Sequence, residues 1–211
     1  MSAFTPRCVR PLYTIGHSTR PASEFIEVLR ASAVTRVVDI RRIPWSRANP
    51  QFDIALLPVT LRRAGLDYVH LGALGGLRAR GKHTEQSVNA GWARQSFHNY
   101  ADYALTLPFQ ETLRGLLETA SRQACAIMCA EAVWWRCHRR IVADHVLAHG
   151  VPVVHLLTRT TQMPASLTAF AVVDAHAGVS YPASSPSMAS TEPAPAHGSP
   201  ANVAGTAGAL R

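Results

Sequence analysis

Cys125-Ala126-Ile127-Met128-Cys129 runs directly into Ala130-Glu131-Ala132-Val133-Trp134-Trp135-Arg136-Cys137-His138-Arg139-Arg140, and Ile141 to Leu147 follows. The first five residues are an unbroken apolar run of strand length. The dozen from Cys129 to Arg140 hold two thiols, a carboxylate, two indoles, an imidazole and three guanidinium groups. Apolar residues at helical spacing come next. The stretch reads as a strand, a short loop carrying the chemistry, and the start of a helix.

The same unit recurs on either side. Tyr13-Thr14-Ile15 is a short β-type segment ending in Gly16-His17-Ser18. Thr19 or Ser23 is placed to cap a helix whose apolar face holds Phe25, Ile26 and Leu29. A β-branched strand over 36–40 runs into Arg41-Arg42-Ile43-Pro44-Trp45-Ser46-Arg47, which Pro44 and Pro50 mark as loop. A helix over 55–64 stops at Gly65. Residues 67–71 form a third strand and lead into a long polar loop through Gly72, Gly75-Gly76, Arg78, Arg80, Gly81 and Lys82. A helical pattern over 96–120 is interrupted at Pro108, a strand covers 124–129, a helix 141–149 ends at Gly150, and a fifth strand covers 151–157. Residues 171–173 and 178–181 are expected to form a terminal hairpin or extension. Continuous apolar strands alternating with helices predict an α/β, three-layer sandwich with a mostly parallel sheet, as a single domain.

Bulk properties narrow the function. The chain has 211 residues, 47% of them hydrophobic, long enough for one ordinary core. No apolar run approaches the roughly 20 residues of a membrane span. The first ten residues are too short and polar for a signal peptide, so a cytoplasmic protein without a membrane partner is expected. The formal charge of +8 is almost wholly arginine, since Lys82 is the only lysine. Such a balance fits nucleic acid, or a ligand bearing phosphate or carboxylate. Arginine usage in a GC-rich genome produces the same count, and the arginines are not gathered in one run. Cys8, Cys125, Cys129 and Cys137 lack the spacing of a disulfide framework or a paired zinc motif.

In open parallel sheets, ligands bind beyond the carboxyl ends of the strands. His17 and Ser18 follow strand one; Asp39, Arg41, Arg42, Ser46 and Arg47 follow strand two. Gly75 and Gly76 follow strand three, and Glu131, Trp135, Arg136, Cys137, His138 and Arg139 follow strand four. The loops at the opposite edge are short and plain, which predicts one shared cleft. Arg41, Arg47, Arg136 and Arg139 suit a bidentate grip on phosphate or carboxylate. Glu131 and His17 are the candidates for moving protons, although a strand-end carboxylate also commonly just pairs with arginine. Cys137, near a helix start with arginines beside it, is a candidate nucleophile or a small buried residue. Cys125 and Cys129 lie four apart in a strand and share one side, as core residues do. His138 is adjacent to Cys137, and neighbours within a helix face apart. A metal ligand set from Cys129, Cys137, His138 or His17 matches no usual spacing. Trp45, Trp92, Trp134 and Trp135 offer surfaces for packing or for stacking on a base. No phosphate-binding or nucleophile-elbow motif occurs. From Cys129 the nearest downstream arginine, Arg136, has one residue too many between for a cysteine phosphatase loop.

Thr14-Ile15-Gly16-His17-Ser18, Val38-Asp39-Ile40-Arg41 with Pro44, Ser46-Arg47 and Pro50, Leu74-Gly75-Gly76, and Gly91-Trp92 with Phe97, Tyr100-Ala101 and Tyr103 stand in a recognisable order. With Cys129-Ala130-Glu131 and Cys137-His138-Arg139, they resemble the DUF488 family, a domain of unknown function. Many members continue Cys-His-Arg with serine, where this chain has Arg140. The resemblance implies an α/β sandwich with a polar cleft, no established reaction, and a domain over 10–182 that closes at Tyr181-Pro182. Residues 1–9 are then an N-terminal extension, and the Ala/Pro/Ser-rich 183–211 is expected to be a disordered tail.

These readings converge on a cleft-containing enzyme or binding protein for an anionic, nucleotide- or nucleic-acid-related ligand. The alternatives are a non-catalytic nucleic-acid-binding or regulatory module, and a thiol redox or metal-sensing protein. The residues name no cofactor and no oligomeric state.

Overall fold

Five apolar runs pair side by side as parallel strands. The structure is a computed structural model and describes residues 9–79 and 88–183. The parallel strands are β1 (Leu12–Gly16), β2 (Arg36–Asp39), β3 (Asp67–His70), β4 (Cys125–Cys129) and β5 (Val153–Leu156). A short β6 (Gln162–Pro164), not expected from the sequence, adds antiparallel to β5. The sheet order is β3-β2-β4-β1-β5-β6. After β1 the chain crosses toward β2, whereas after β4 it crosses the other way to β5. The carboxyl ends of the adjacent β1 and β4 therefore sit where the winding reverses, and a crevice opens there.

Among the described residues five α-helices cover the two faces: α1 (Ala22–Ala31), α2 (Leu57–Arg63), α3 (Gln95–Ala104), α4 (Leu107–Arg122) and α5 (Arg139–Ala148). Phe25, Leu29 and Leu61 from α1 and α2 pack on Ala126 and Met128 of β4. Phe97, Phe109, Leu113 and Ile141 from α3, α4 and α5 pack with Cys125, Ile127 and Cys129 on the other face. Alternate residues of one strand thus feed two cores, which is why β4 is apolar throughout. Cys125 and Cys129 share a face, as their spacing predicts.

Several boundaries differ from the sequence expectations. The pattern over 96–120 is two helices, because the chain turns at Leu105–Thr106 and Pro108 sits in the first turn of α4, where no amide hydrogen is required. Neither Thr19 nor Ser23 caps α1; Pro21 holds the N-cap without a side-chain bond. Helix α5 starts at Arg139, two residues before the apolar pattern. The terminal hairpin forms as β7 (Val172–Val173) and β8 (Val179–Ser180), with Asp174 accepting from the backbone amides of His176 and Gly178. Tyr181 beyond it is buried and donates to Asp144 on α5 at 2.8 Å. Cys8, Arg80, Gly81, Lys82 and the tail beyond Ala183 lie outside the described residues.

No helix among the described residues is long and apolar enough to cross a membrane.

Candidate functional site

The β1–β4 ladder continues past the strand ends and draws their loops together. The amides of His17 and Ser18 donate to the carbonyls of Cys129 and Ala130, each at 2.9 Å. Gly16 makes this approach feasible, because a Cβ there would collide with the Glu131 carbonyl and lie 2.8 Å from an Arg139 nitrogen.

At the end of β2, the buried Asp39 accepts from Arg41 Nε at 2.9 Å, from its Nη2 at 2.6 Å and from Tyr68 Oη at 2.8 Å. Burial alone would lower the Arg41 pKa, but the Asp39 carboxylate outweighs it and raises the guanidinium above its ordinary value. His17 is 1% exposed and stacks on Phe52 with centroids 4.2 Å apart. Its Nδ1 lies 2.8 Å from the Ser18 carbonyl, so Nδ1 carries the proton and Nε2 faces Arg41 Nη1 at 3.5 Å. Burial, helped by the charge of Arg41, lowers the His17 pKa to about 4, leaving a neutral ring near neutral pH.

The loop after β4 folds back on itself through a 3-10 turn at Trp134–Arg136. Trp134 anchors that turn by stacking on the buried His155 of β5, with centroids 4.3 Å apart. The fold-back returns Cys137 to Cys129, with their sulfurs 2.8 Å apart. His138 Nδ1 is 3.6 Å from the Cys137 sulfur. Cys137 and His138 do not face apart as neighbours within a helix would, because Cys137 is extended (φ −120°, ψ 148°) and only His138 begins the helical path. Arg139 is 1% exposed; its Nε lies 3.4 Å from the Cys137 sulfur, and its Nη2 donates to the Glu131 carbonyl at 2.6 Å. Burial by itself raises the Cys137 thiol, but the hydrogen bond with Cys129 and the neighbouring His138 and Arg139 carry it well below the ordinary thiol range. Cys129 moves the opposite way, through that same bond and its own burial.

These loops enclose a cavity of about 310 Å³. Of the residues expected in the cleft, His17, Arg41, Arg42, Ser46 and Gly76 line it from the first three strand ends. Glu131, Arg136, Cys137 and His138 line it from the fourth. The other six do not line it. Asp39 lies beneath Arg41 and holds it. Arg139 is turned inward onto backbone carbonyls and the Cys137 sulfur. Ser18 takes a left-handed turn (φ 48°) whose carbonyl orients His17. Gly75 lets the chain pass the Arg42 backbone, where a Cβ would stand 2.5 Å from its Cα. Trp135 and Arg47 face outward.

The cavity also takes residues to which the sequence reading gave no role: Arg94, Ser96, Phe97 and Tyr100 from the start of α3. Phe97 and Tyr100 stand in the quoted motifs, but nothing local points Arg94 inward. Trp45, considered there for stacking, lies on the wall and is 70% exposed.

Fold and site define an α/β protein with a cleft lined by arginines and two thiols across the carboxyl ends of parallel strands. The chain belongs to the family described as Domain of unknown function DUF488, whose model matches residues 21–146. That span contains Asp39, Arg41 and the whole Cys129–Arg139 segment, but not His17. No curated protein and no solved structure gives a match.

Proposed function

We propose that the cavity binds a small anionic ligand of nucleotide type and that the protein acts on it as an enzyme. One observation carries this reading: Arg42, Arg94 and Arg136 all line the cavity, and none has a carboxylate partner among the described residues. Arg41 is neutralised by Asp39, and among the described residues Arg42 donates only to the Leu77 carbonyl, so Arg42, Arg94 and Arg136 are the charges left over for a ligand. A phosphate oxygen pair satisfies such planar donors better than water does. Trp45, on the cavity wall and 70% exposed, offers a ring face to a base. The reaction centre of this reading is the floor, Cys137 and His138. Glu131 at the exposed rim and the neutral His17 are the groups that accept or return a proton there.

The test follows the fluorescence of Trp45 while the protein is titrated with adenosine 5′-monophosphate, adenosine and ribose 5-phosphate, with Trp45→Phe as the control for the other indoles. The monophosphate should bind at least tenfold more tightly than adenosine. Arg94→Ala and Arg136→Ala should each weaken it about tenfold or more, the effect of losing a charged hydrogen bond. Equal affinity for adenosine, or unchanged affinity in both variants, overturns the reading. Tighter binding of a single-stranded oligonucleotide, with a steep loss in salt, would favour a non-catalytic nucleic-acid module instead.

A further inference from the structure

The floor of the cavity holds three ligand atoms that gripping an anion does not require. Cys129 Sγ, Cys137 Sγ and a ring nitrogen of His138 all lie within 4.8 Å of one another. The backbone prepares both sulfurs in the same way. The amide of Glu131 points at the Cys129 sulfur two residues before it, at 3.4 Å, and the amide of Arg139 points at the Cys137 sulfur two residues before it, at 3.5 Å. Amide hydrogens aimed at sulfur stabilise a thiolate, the form in which cysteine ligates metal.

The imidazole is prepared as well. His138 Nε2 is 3.1 Å from the Ile40 carbonyl, which can only accept, so Nε2 carries the proton and Nδ1 presents its lone pair. Metal-bound histidines are usually oriented by such a bond on the other nitrogen. Gly76 leaves the space in front of Nδ1 open, since a Cβ there would stand 2.9 Å from it.

We propose that Cys129, Cys137 and His138 form a site for a thiophilic divalent cation of the zinc class, with its fourth position open to the cavity. Three protein ligands and one exchangeable position are the arrangement of catalytic rather than structural zinc. A sequence motif does not reveal the site, because seven residues separate the cysteines and the intervening loop closes the distance by folding back. Tetrahedral coordination with metal–sulfur bonds near ~2.3 Å places two sulfurs roughly 3.8 Å apart, so the side chains open by about 1 Å from their present contact. The metal takes the place of the thiol proton between the sulfurs, and that proton is released. Cys137 then serves as a ligand and not as a nucleophile.

Charge connects this site to the anion. Two thiolates neutralise a divalent ion, and the buried Arg139 guanidinium beside them is left positive. An anionic group in the fourth position offsets it. Only this last step rests on the anion-binding reading; the metal site itself does not.

The experiment uses the full chain, reduced with a phosphine, stripped with EDTA and titrated anaerobically with Co²⁺. Expected are a sulfur-to-cobalt charge-transfer band and tetrahedral ligand-field bands that saturate at one equivalent per chain and vanish on adding Zn²⁺. Cys129→Ser and Cys137→Ser should each cut the charge-transfer intensity and weaken Co²⁺ at least 100-fold, and His138→Gln should weaken it 10- to 100-fold. The Cys8→Ser/Cys125→Ser double variant should keep the full band. Circular dichroism checks the fold of each variant; if Cys137→Ser does not fold, Cys129→Ser and His138→Gln decide. Absence of the band from the reduced full chain overturns the site, as does a band that persists in Cys129→Ser and His138→Gln. Adenosine monophosphate binding is measured on the stripped protein, so its failure leaves the cobalt result standing, and the reverse.

Discussion

The Arg139 guanidinium is buried against the Cys137 sulfur, Nε to Sγ 3.4 Å, with no carboxylate beside it among the described residues. Guanidinium does not lose its proton at any working pH. A buried charge without a counter-charge is strongly destabilising, so the Cys137 thiolate fills that place. In metal-free protein, Cys137→Ala should lower the unfolding free energy by about 3–5 kcal/mol, the effect of breaking a buried pair. Combining it with Arg139→Met should recover part of that loss. Urea denaturation of the two single variants and the double variant measures the coupling; additivity within about 0.5 kcal/mol would show that the two residues do not pair.

Among the described residues Asp39 is the sole carboxylate holding Arg41, and it also receives the Tyr68 hydroxyl. Asp39→Asn should destabilise by about 3–5 kcal/mol, because Arg41 stays charged and buried. Tyr68→Phe removes one hydrogen bond and should cost about 1 kcal/mol. Denaturant midpoints check both, and equal effects from the two would contradict the assignment.

Gly16→Ala should be severely destabilising although alanine is the smallest possible addition. Its Cβ meets the Glu131 and Ala132 carbonyls and an Arg139 nitrogen, two of which are backbone atoms that cannot swing aside. Gly115→Ala, on the exposed side of α4 with nothing within 4 Å, should instead stabilise by up to about 1 kcal/mol. Melting temperatures of the two variants should move in opposite directions.

Acid should destabilise the fold through its buried histidines. Burial lowers the pKa values of His145 and His155 to about 4, and the unfolded chain titrates near 6.5. Between those values the unfolded state binds protons that the folded state does not. Stability is therefore full above pH 6.5 and falls as the pH drops toward 4. His145, packed on Phe109 with both ring nitrogens unbonded, contributes on the order of 2–3 kcal/mol of that loss. Urea midpoints at pH 7.5 and 4.5 should differ less in His145→Leu than in the unaltered chain.

Much of the fold was legible because burial on two faces demands continuous apolar strands, and all five parallel strands lie where the runs 13–15, 36–40, 67–71, 124–129 and 151–157 stand. The ends were less legible. β6 is a three-residue edge strand without a hydrophobic pattern, and α5 starts on arginines that no periodicity marks. The strand-end rule brought His17, Arg41, Arg42, Ser46, Gly76, Glu131, Arg136, Cys137 and His138 to one cavity, because parallel strands present all their carboxyl ends on one edge.

Which polar group faces the cavity is a different kind of fact. Arg139 and Arg136 are indistinguishable in sequence, yet one is locked inward by backbone carbonyls and a sulfur while the other lines the cavity. Arg94 joins from a helix start far along the chain, and Cys129 meets Cys137 across a turn that Trp134 packs onto His155 and Arg139 ties at the Glu131 carbonyl. Period and composition specify which face of an element is buried, so the sequence determined the sheet, its helices and the edge where the cavity opens. The inward or outward turn of each side chain depends on contacts between residues distant in the chain, and those only the tertiary structure decided.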